Sequence, residues 1–280
     1  MTAVLAAAHR LTQALARARA YLLGRQCANG GFSFYRSDVL EEPDTHDTWH
    51  ALAALRCLGT SPPRRQDIVR FVAQQPVPTQ PYGLYFRVRS LCLLDAADPF
   101  HAAVREAVAA LPTPDLQSLD DSTDTLYSLR LALWLKRHFG LAFPAQDIAR
   151  RLLALEHPDG GFGLPPNLLA TRQALAVLDL CQAPAPARAG AFVMGLATPD
   201  FGFRLTADSL APNLEITCAG VSCCRRLGLP IPHAADALAF ILDCQTGHGG
   251  FARAPDALPD IALTHLALAG LDVLAGPFHP

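Results

Sequence analysis

One repeated unit constrains this chain more than any other feature. Its clearest copy reads QCANGGF, with Gln26, Gly30, Gly31 and Phe32, followed by a loop and then DTHDTWHALAALRCLG from Asp44 to Gly59. Consecutive glycines adopt left-handed backbone without a β-carbon penalty, which suits the closing of a helix. Asp44, Thr45 and Asp47 are residue types that cap a new helix and favour the positive end of its dipole. The run that follows is apolar on nearly every face, so the helix it forms is buried all round.

The unit recurs. EHPDGGFG carries Glu156, Gly160, Gly161 and Phe162 ahead of a helix at Thr171, and QTGHGGF carries Gln245, Gly249, Gly250 and Phe251 ahead of Thr264. TPDFGF, from Thr198 to Phe203, is a weaker copy ahead of Thr217. Thr125, Thr171, Thr217 and Thr264 follow one another at intervals of 46, 46 and 47 residues. The longer interval from Thr48 to Thr125 holds a shortened copy at Tyr85–Asp95. Repeats of this length are stacked helical hairpins, and six are counted. Their second helices are expected at Thr45–Leu58, Tyr82–Asp95, Ser122–Phe139, Leu168–Cys181, Leu214–Leu227 and Ile261–Leu274.

The second helix of each pair is apolar all round and the first is amphipathic: Arg64, Arg65, Asp67 and Arg70 share a segment with Ile68, Val69, Phe71 and Val72. Inner helices ringed by outer ones make an all-α, (α/α)6 toroid, read as a single domain over residues 1–280. Parallel inner helices gather their N-termini, and the loops before them, at one rim of a central cavity.

Composition supports a large apolar interior, with 51% hydrophobic and 17% charged residues in 280. A net charge of −2 without a basic block excludes the electrostatic footprint of a nucleic-acid binder. The eight cysteines form no CxxC pair and lie mostly in apolar helical patterns, as buried thiols of a cytoplasmic protein would. No uncharged run reaches the roughly 18 residues of a membrane span, while peripheral membrane contact stays open.

QxxxGGF closing one helix, a loop, and a DT-led apolar helix together resemble the repeat of the prenyltransferase and squalene-cyclase family, over essentially the whole chain. The resemblance implies a toroid with an isoprenoid-sized cavity; it does not select the chemistry. Protein prenyltransferases hold zinc with an Asp-x-Cys and a His. Aligned here, those positions fall on Glu215-Ile216-Thr217 and on Leu263, so zinc is not expected. Cys218 and His265 sit one residue later, rotated about 100° around the helix. The basic residues that family places ahead of the same helix for a diphosphate are replaced by Ala211, Pro212 and Asn213.

Proton-initiated cyclases carry DxDDT, or DCT in one branch, at the start of an inner helix. Here Asp121-Ser122-Thr123 resembles Asp-Cys-Thr, and Asp121 to Thr125 matches DxDDT except for Thr123. Asp44 to Thr48 matches the same pattern with His46 at the donor position. Protonating an alkene demands a neutral carboxyl away from water, which an apolar cavity and a second carboxylate both promote. A histidine can return the proton, and the cation then needs aromatic faces. The same aspartates equally suit helix capping. Asp120, Asp121 and Asp124 also spell DDxxD, the magnesium-diphosphate motif of a different helical fold.

The expected function is a terpene cyclase-like enzyme taking an isoprenoid or polyene. Asp121 or Asp124 is the first choice of acid, and Asp47 with His46 the second. Asp44, Trp49, Tyr85, Phe86, Tyr127, Phe203 and Phe251 are expected to contact substrate. No cofactor is expected unless the substrate is a diphosphate, which would bring Mg2+. Known full-length relatives add a second helical domain, so a partner chain, a homodimer or an open cavity is implied. A diphosphate-dependent prenyltransferase or class I-like cyclase, and a non-catalytic lipid- or protein-binding toroid, remain as alternatives.

Overall fold

The computed structural model describes residues 2–34, 40–112, 119–276 and 278; Tyr35, in the first glycine-pair loop, lies outside them. Twelve helices alternate along these residues. The inner set is α2 (Thr45–Cys57), α4 (Pro81–Leu93), α6 (Thr123–His138), α8 (Leu168–Leu180), α10 (Leu214–Leu227) and α12 (Ile261–Ala275). The outer set is α1 (Thr2–Gly24), α3 (Arg65–Gln74), α5 (His101–Ala110), α7 (Ala145–Leu153), α9 (Ala189–Gly195) and α11 (Ala234–Asp243). Each inner helix packs on the next, and α12 packs back on α2, so the ring is closed. The expected (α/α)6 toroid is the fold.

Amphipathicity sorts the two layers. In α3, Ile68 and Val72 are fully buried while Arg65, Gln66 and Arg70 face solvent. Inner helices bury residues on most sides, as Leu126, Leu129, Leu131, Leu133 and Leu135 do along α6.

The glycine pairs owe their place to close packing between repeats. Gly30, Gly160 and Gly249 have φ of 96°, 93° and 92°. A β-carbon on each would lie 2.5 Å from backbone of Asp67, Arg188 and Arg17, at or beside the start of the neighbouring outer helix for the first two and in α1 for the third. Their partners Gly31, Gly161 and Gly250 lie under the rings of Phe71, Phe192 and Tyr21. The third contact joins the last repeat to the first helix, as does Gln245 Nε2 donating to Ala14 O at 2.8 Å. Ring closure is therefore written into the final copy of the repeat.

The threonine at each inner-helix start has an equally local cause. The Phe32, Phe162 and Phe251 amides donate to the hydroxyls of Thr48, Thr171 and Thr264 at 2.9–3.0 Å. Those hydroxyls donate onward to the carbonyls of Asp44, Asn167 and Asp260. One buried hydroxyl thus ties the loop phenylalanine to the helix cap. Thr171→Val keeps the shape but orphans a buried N–H, and is expected to cost about 1–3 kcal/mol in urea unfolding. A loss below about 0.5 kcal/mol, the scatter of ordinary surface changes, would contradict this role.

The sequence did not announce two short antiparallel pairs, β1 (Ala197–Thr198) with β2 (Gly202–Phe203) and β3 (Phe251–Ala252) with β4 (Pro259–Asp260). Both stiffen loops at the rim where the inner helices begin. Among the described residues no helix is long and apolar enough to cross a membrane.

Candidate active site

Inner helices at this spacing direct residues at i, i+3, i+4 and i+7 to one face. His46, Trp49 and His50 of α2, Asp124, Tyr127 and Arg130 of α6, and Arg172, Gln173 and Ala176 of α8 are linked by three- and four-residue steps, while α4 contributes the adjacent Tyr85 and Phe86. With Glu215, Ser222 and Arg226 of α10 and Ala262, His265 and Leu266 of α12, they line a central cavity of about 470 Å³. A second cavity of about 450 Å³ continues toward the C-terminal ends of α8, α10 and α12, sharing Arg172, Ser222, Arg226 and Leu266 with the first. The two together form a bore through the toroid.

One wall of the bore is aromatic. Trp49 lies 5.3 Å from Phe86 and 5.9 Å from Tyr85, ring centre to ring centre, and His46 packs edge-on against Phe86 at 4.7 Å. Arg89 stands behind this wall, with its guanidinium carbon 5.6 Å from the Trp49 ring and 5.0 Å from that of Trp134. The other wall is basic, with Arg130, Arg172 and Arg226 on three successive inner helices. Burial, together with Arg172 and Arg89, holds Arg130 below its usual pKa despite the nearby tyrosines.

Between the walls sit two histidines in contact. His50 Nδ1 and His265 Nδ1 are 3.0 Å apart, a distance that requires one to donate and the other to accept. Burial lowers both pKa values, with His265 adding to the effect on His50 and Arg89 to that on His265, which falls to about 4. Both shifts favour the uncharged imidazole form.

The aspartates separate into different roles. Asp124 lines the mouth of the bore and is exposed. Asp121 is buried and turned away: it accepts from the Gly163 amide at 2.6 Å and lies 3.5 Å from His157 Nε2, so it clamps the neighbouring glycine loop. Asp47 is likewise buried, accepting from the Phe34 amide at 2.6 Å, with His46 Nδ1 at 3.2 Å. Neither Asp47 nor Asp121 lines the cavity. Asp44 is the N-cap of α2, accepting from the Asp47 amide at 2.7 Å. A buried carboxylate satisfied by a backbone N–H is held for structure, and the sequence pattern cannot tell that arrangement from one facing a cavity.

The expected aromatic contacts divide the same way. Trp49, Tyr85, Phe86 and Tyr127 line the bore. Phe203 and Phe251 do not; both are fully buried between helices, Phe203 against the α-carbon of Gly220. The phenylalanine of the glycine motif is a packing anchor, which corrects the expectation for these two residues. His50, His265, Arg130, Arg172, Arg226 and Glu215 were not in the expected set. Their signal was present as polar side chains at helical spacing on otherwise apolar inner helices.

For metals, Asp44, His46 and Asp47 form the one group of potential ligands among the described residues, with ligand atoms within 4.8 Å of one another. The DDxxD letters do not converge, since Asp121 points to Gly163 while Asp124 faces the bore. Cys218 has its thiol pushed up to about 12 by burial, and His265 is engaged with His50. These two are a poor start for a thiolate-histidine zinc site.

The prenyltransferase alpha-alpha toroid domain family matches residues 1–84 and 73–278, and the chain belongs to that family. Among solved structures, Candida albicans protein geranylgeranyltransferase-I complexed with GGPP superposes with a TM-score of 0.66 at 15% identity, covering 82% of this chain and 83% of that one. A variant of the type II terpene cyclase MstE from Scytonema, in complex with geranylgeranyl dihydroxybenzoate, gives 0.64 at 12% identity and covers 97% of this chain and 99% of its own. A protein from Actinoplanes gives 0.62 at 16%, covering 94% and 99%. At these identities the likeness is one of fold. The sequence matches no curated protein.

Proposed function

We propose that this chain is a terpene cyclase-like enzyme. It takes a prenyl chain into the bore and rearranges or cyclises it after Asp124 donates a proton. The observation that carries the reading is the placement of Asp124 at the mouth of a bore whose facing wall is built from Trp49, Tyr85 and Phe86. Carboxyl protonation of an alkene places a cation on the chain, and ring faces within a few ångströms attract it. Prenyl substrate filling the mouth would cover Asp124 and exclude water, the condition under which a carboxyl keeps its proton.

The cycle closes when the final cation loses a proton. A proton next to a cationic carbon is acidic enough for a weak base, and the His50–His265 pair lies in the same bore. One proton enters and one leaves, so the net reaction is an isomerisation. His46, bonded to Asp47, is the second candidate for the proton donor. An imidazolium is a weaker acid than a carboxyl by about two pKa units, which places it behind Asp124.

Two of the solved relatives support a prenyl substrate: one is complexed with GGPP and the other with geranylgeranyl dihydroxybenzoate. The cyclase of that pair is matched over 99% of its solved chain. A second reading, a diphosphate-ionising prenyltransferase or class I-like cyclase, is favoured by the arginine wall. It would call for Mg2+, and the scattered DDxxD letters give that ion no cradle. A purely lipid- or protein-binding toroid has no feature in its favour beyond the fold itself.

Product analysis on linear prenyl substrates of 15 and 20 carbons, for the wild type and Asp124→Asn, tests the proposal. Ring-bearing isomers formed in the presence of a chelator and lost with Asp124 support it. Turnover abolished by the chelator would transfer support to the diphosphate reading.

A further inference from the structure

The toroid shows how it neutralises a buried cation that serves structure. Arg87 is fully buried, and its guanidinium donates to both oxygens of Asp98 and to the carbonyls of Val72, Ala73 and Gln75. Lys136 of α6 is the contrasting case. It is 7% exposed, and its ammonium donates to the Leu111 carbonyl at 3.0 Å, with no carboxylate within salt-bridge distance among the described residues. Leu111 is the C-cap of α5, and a helix end of that polarity favours a cation. It supplies no counter-ion, and an ammonium has three N–H groups to satisfy. A buried charge without a partner costs folding free energy, which a ligand carrying the opposite charge recovers on binding.

Lys136 lines a lateral cavity of about 460 Å³ whose described lining shares only Asp124 with the bore. Leu129, Ala132 and Lys136 step along one face of α6 at three- and four-residue intervals, and Leu111, Leu119 and Phe143 extend the apolar wall. Asp124 and Lys136 are the two charged side chains among the described lining residues. Twelve residues separate them on α6, a distance of about 18 Å along the helix. Arg151, tied to the lining through the Leu119 carbonyl at 3.4 Å, is also positive. An apolar slot with a cation toward one end and a carboxylate at the other orients an amphiphile. An anionic head is drawn to Lys136 and repelled by Asp124, and an apolar tail fills the space between.

We infer that the lateral cavity is a binding site for a long-chain carboxylate, such as a fatty acid, with its head at Lys136 and its tail directed along α6 toward Asp124. One ammonium balances one carboxylate, so a singly charged head fits better than a diphosphate. The site lies outside the bore and does not rest on the prenyl reading. Because Asp124 belongs to both cavities, the tail points at the residue proposed as proton donor.

Calorimetric titration of the full chain with laurate and with dodecanol, its uncharged counterpart, tests the site. The wild type is expected to bind one laurate per chain, about tenfold or more tightly than dodecanol. Lys136→Met is expected to abolish that preference at unchanged dodecanol affinity, and Lys136→Arg, which keeps the charge, to retain it. Ala132→Phe narrows the slot and is expected to weaken both ligands about tenfold or more; it serves if Lys136→Met fails to fold. Ala176→Phe, which narrows the bore instead, should leave both affinities unchanged. Three results each overturn the site: no saturable laurate binding, a laurate preference that survives Lys136→Met, or an affinity ratio near one in the wild type. Binding lost in Ala176→Phe but kept in Ala132→Phe would place the ligand in the bore and overturn it equally.

Discussion

Asp124→Asn is expected to reduce turnover of a linear prenyl substrate by about 10²–10⁴-fold, with little change in substrate affinity. That range is the usual contribution of a positioned general acid. Asparagine preserves size and polarity but carries no transferable proton, so the loss falls on the chemical step. The side chain is exposed at the mouth and makes no packing contact that the fold depends on, so stability should remain within about 0.5 kcal/mol of wild type. Asp121→Asn and Asp47→Asn should show the reverse pattern. Both carboxylates hold backbone amides, of Gly163 and Phe34, and their loss should weaken the fold more than the chemistry. Comparable turnover in Asp124→Asn and wild type, measured under single-turnover conditions, would remove Asp124 from the mechanism.

The largest expected stability effect lies away from the bore. Asp98 binds Arg87 at 2.7 and 2.8 Å, and the Arg87 side chain is 0% exposed. Asp98→Asn would strand that cation among three carbonyls, at a cost of about 3–5 kcal/mol. Replacing both partners with apolar residues, Arg87→Met with Asp98→Leu, should recover most of the loss, since nothing charged is then left buried. Burial raises the Asp98 pKa, but the Arg87 hydrogen bonds, the Phe100 amide and the Arg87 charge outweigh it and the net shift is downward. A carboxyl depressed in the folded state stabilises above its unfolded pKa of about 3.9, and the contribution disappears as pH falls through the folded value. Denaturant unfolding at neutral pH checks the first claim; a single-variant loss under about 1 kcal/mol would contradict it.

The repeat was legible because its parts answer to local chemistry. Thr48, Thr171 and Thr264 mark helix starts since each hydroxyl joins the loop phenylalanine to the cap carbonyl, always four residues after the cap although the loop before it varies in length. Gly30, Gly160 and Gly249 recur because only glycine fits where one repeat touches the next. The site was less legible. Asp121 and Asp124 are three residues apart, which on a regular helix would place them on one face. Asp121 instead precedes the N-cap Ser122 of α6, in extended chain, and its carboxylate turns to Gly163. Arg130 and Arg172 were overlooked for a related reason: a charged residue inside an apolar pattern reads as an interruption until the ring shows that the interruptions from adjacent helices meet. Phe203 and Phe251 share the rim with the true lining residues but point into the layer between helices, a distinction that depends on tertiary packing.

The central claim is that a prenyl chain occupies the bore against the aromatic wall. The chain has two tryptophans, and Trp49 alone lines that wall. Fluorescence of the Trp134→Phe variant, in which Trp49 is the sole emitter, therefore reports occupancy directly. Titration with a prenyl ligand of 15 or 20 carbons should produce a saturable change in Trp49 emission, with one ligand bound per chain and the same midpoint as calorimetry. Calorimetric binding that leaves Trp49 emission unchanged would place the ligand outside the bore and contradict the account.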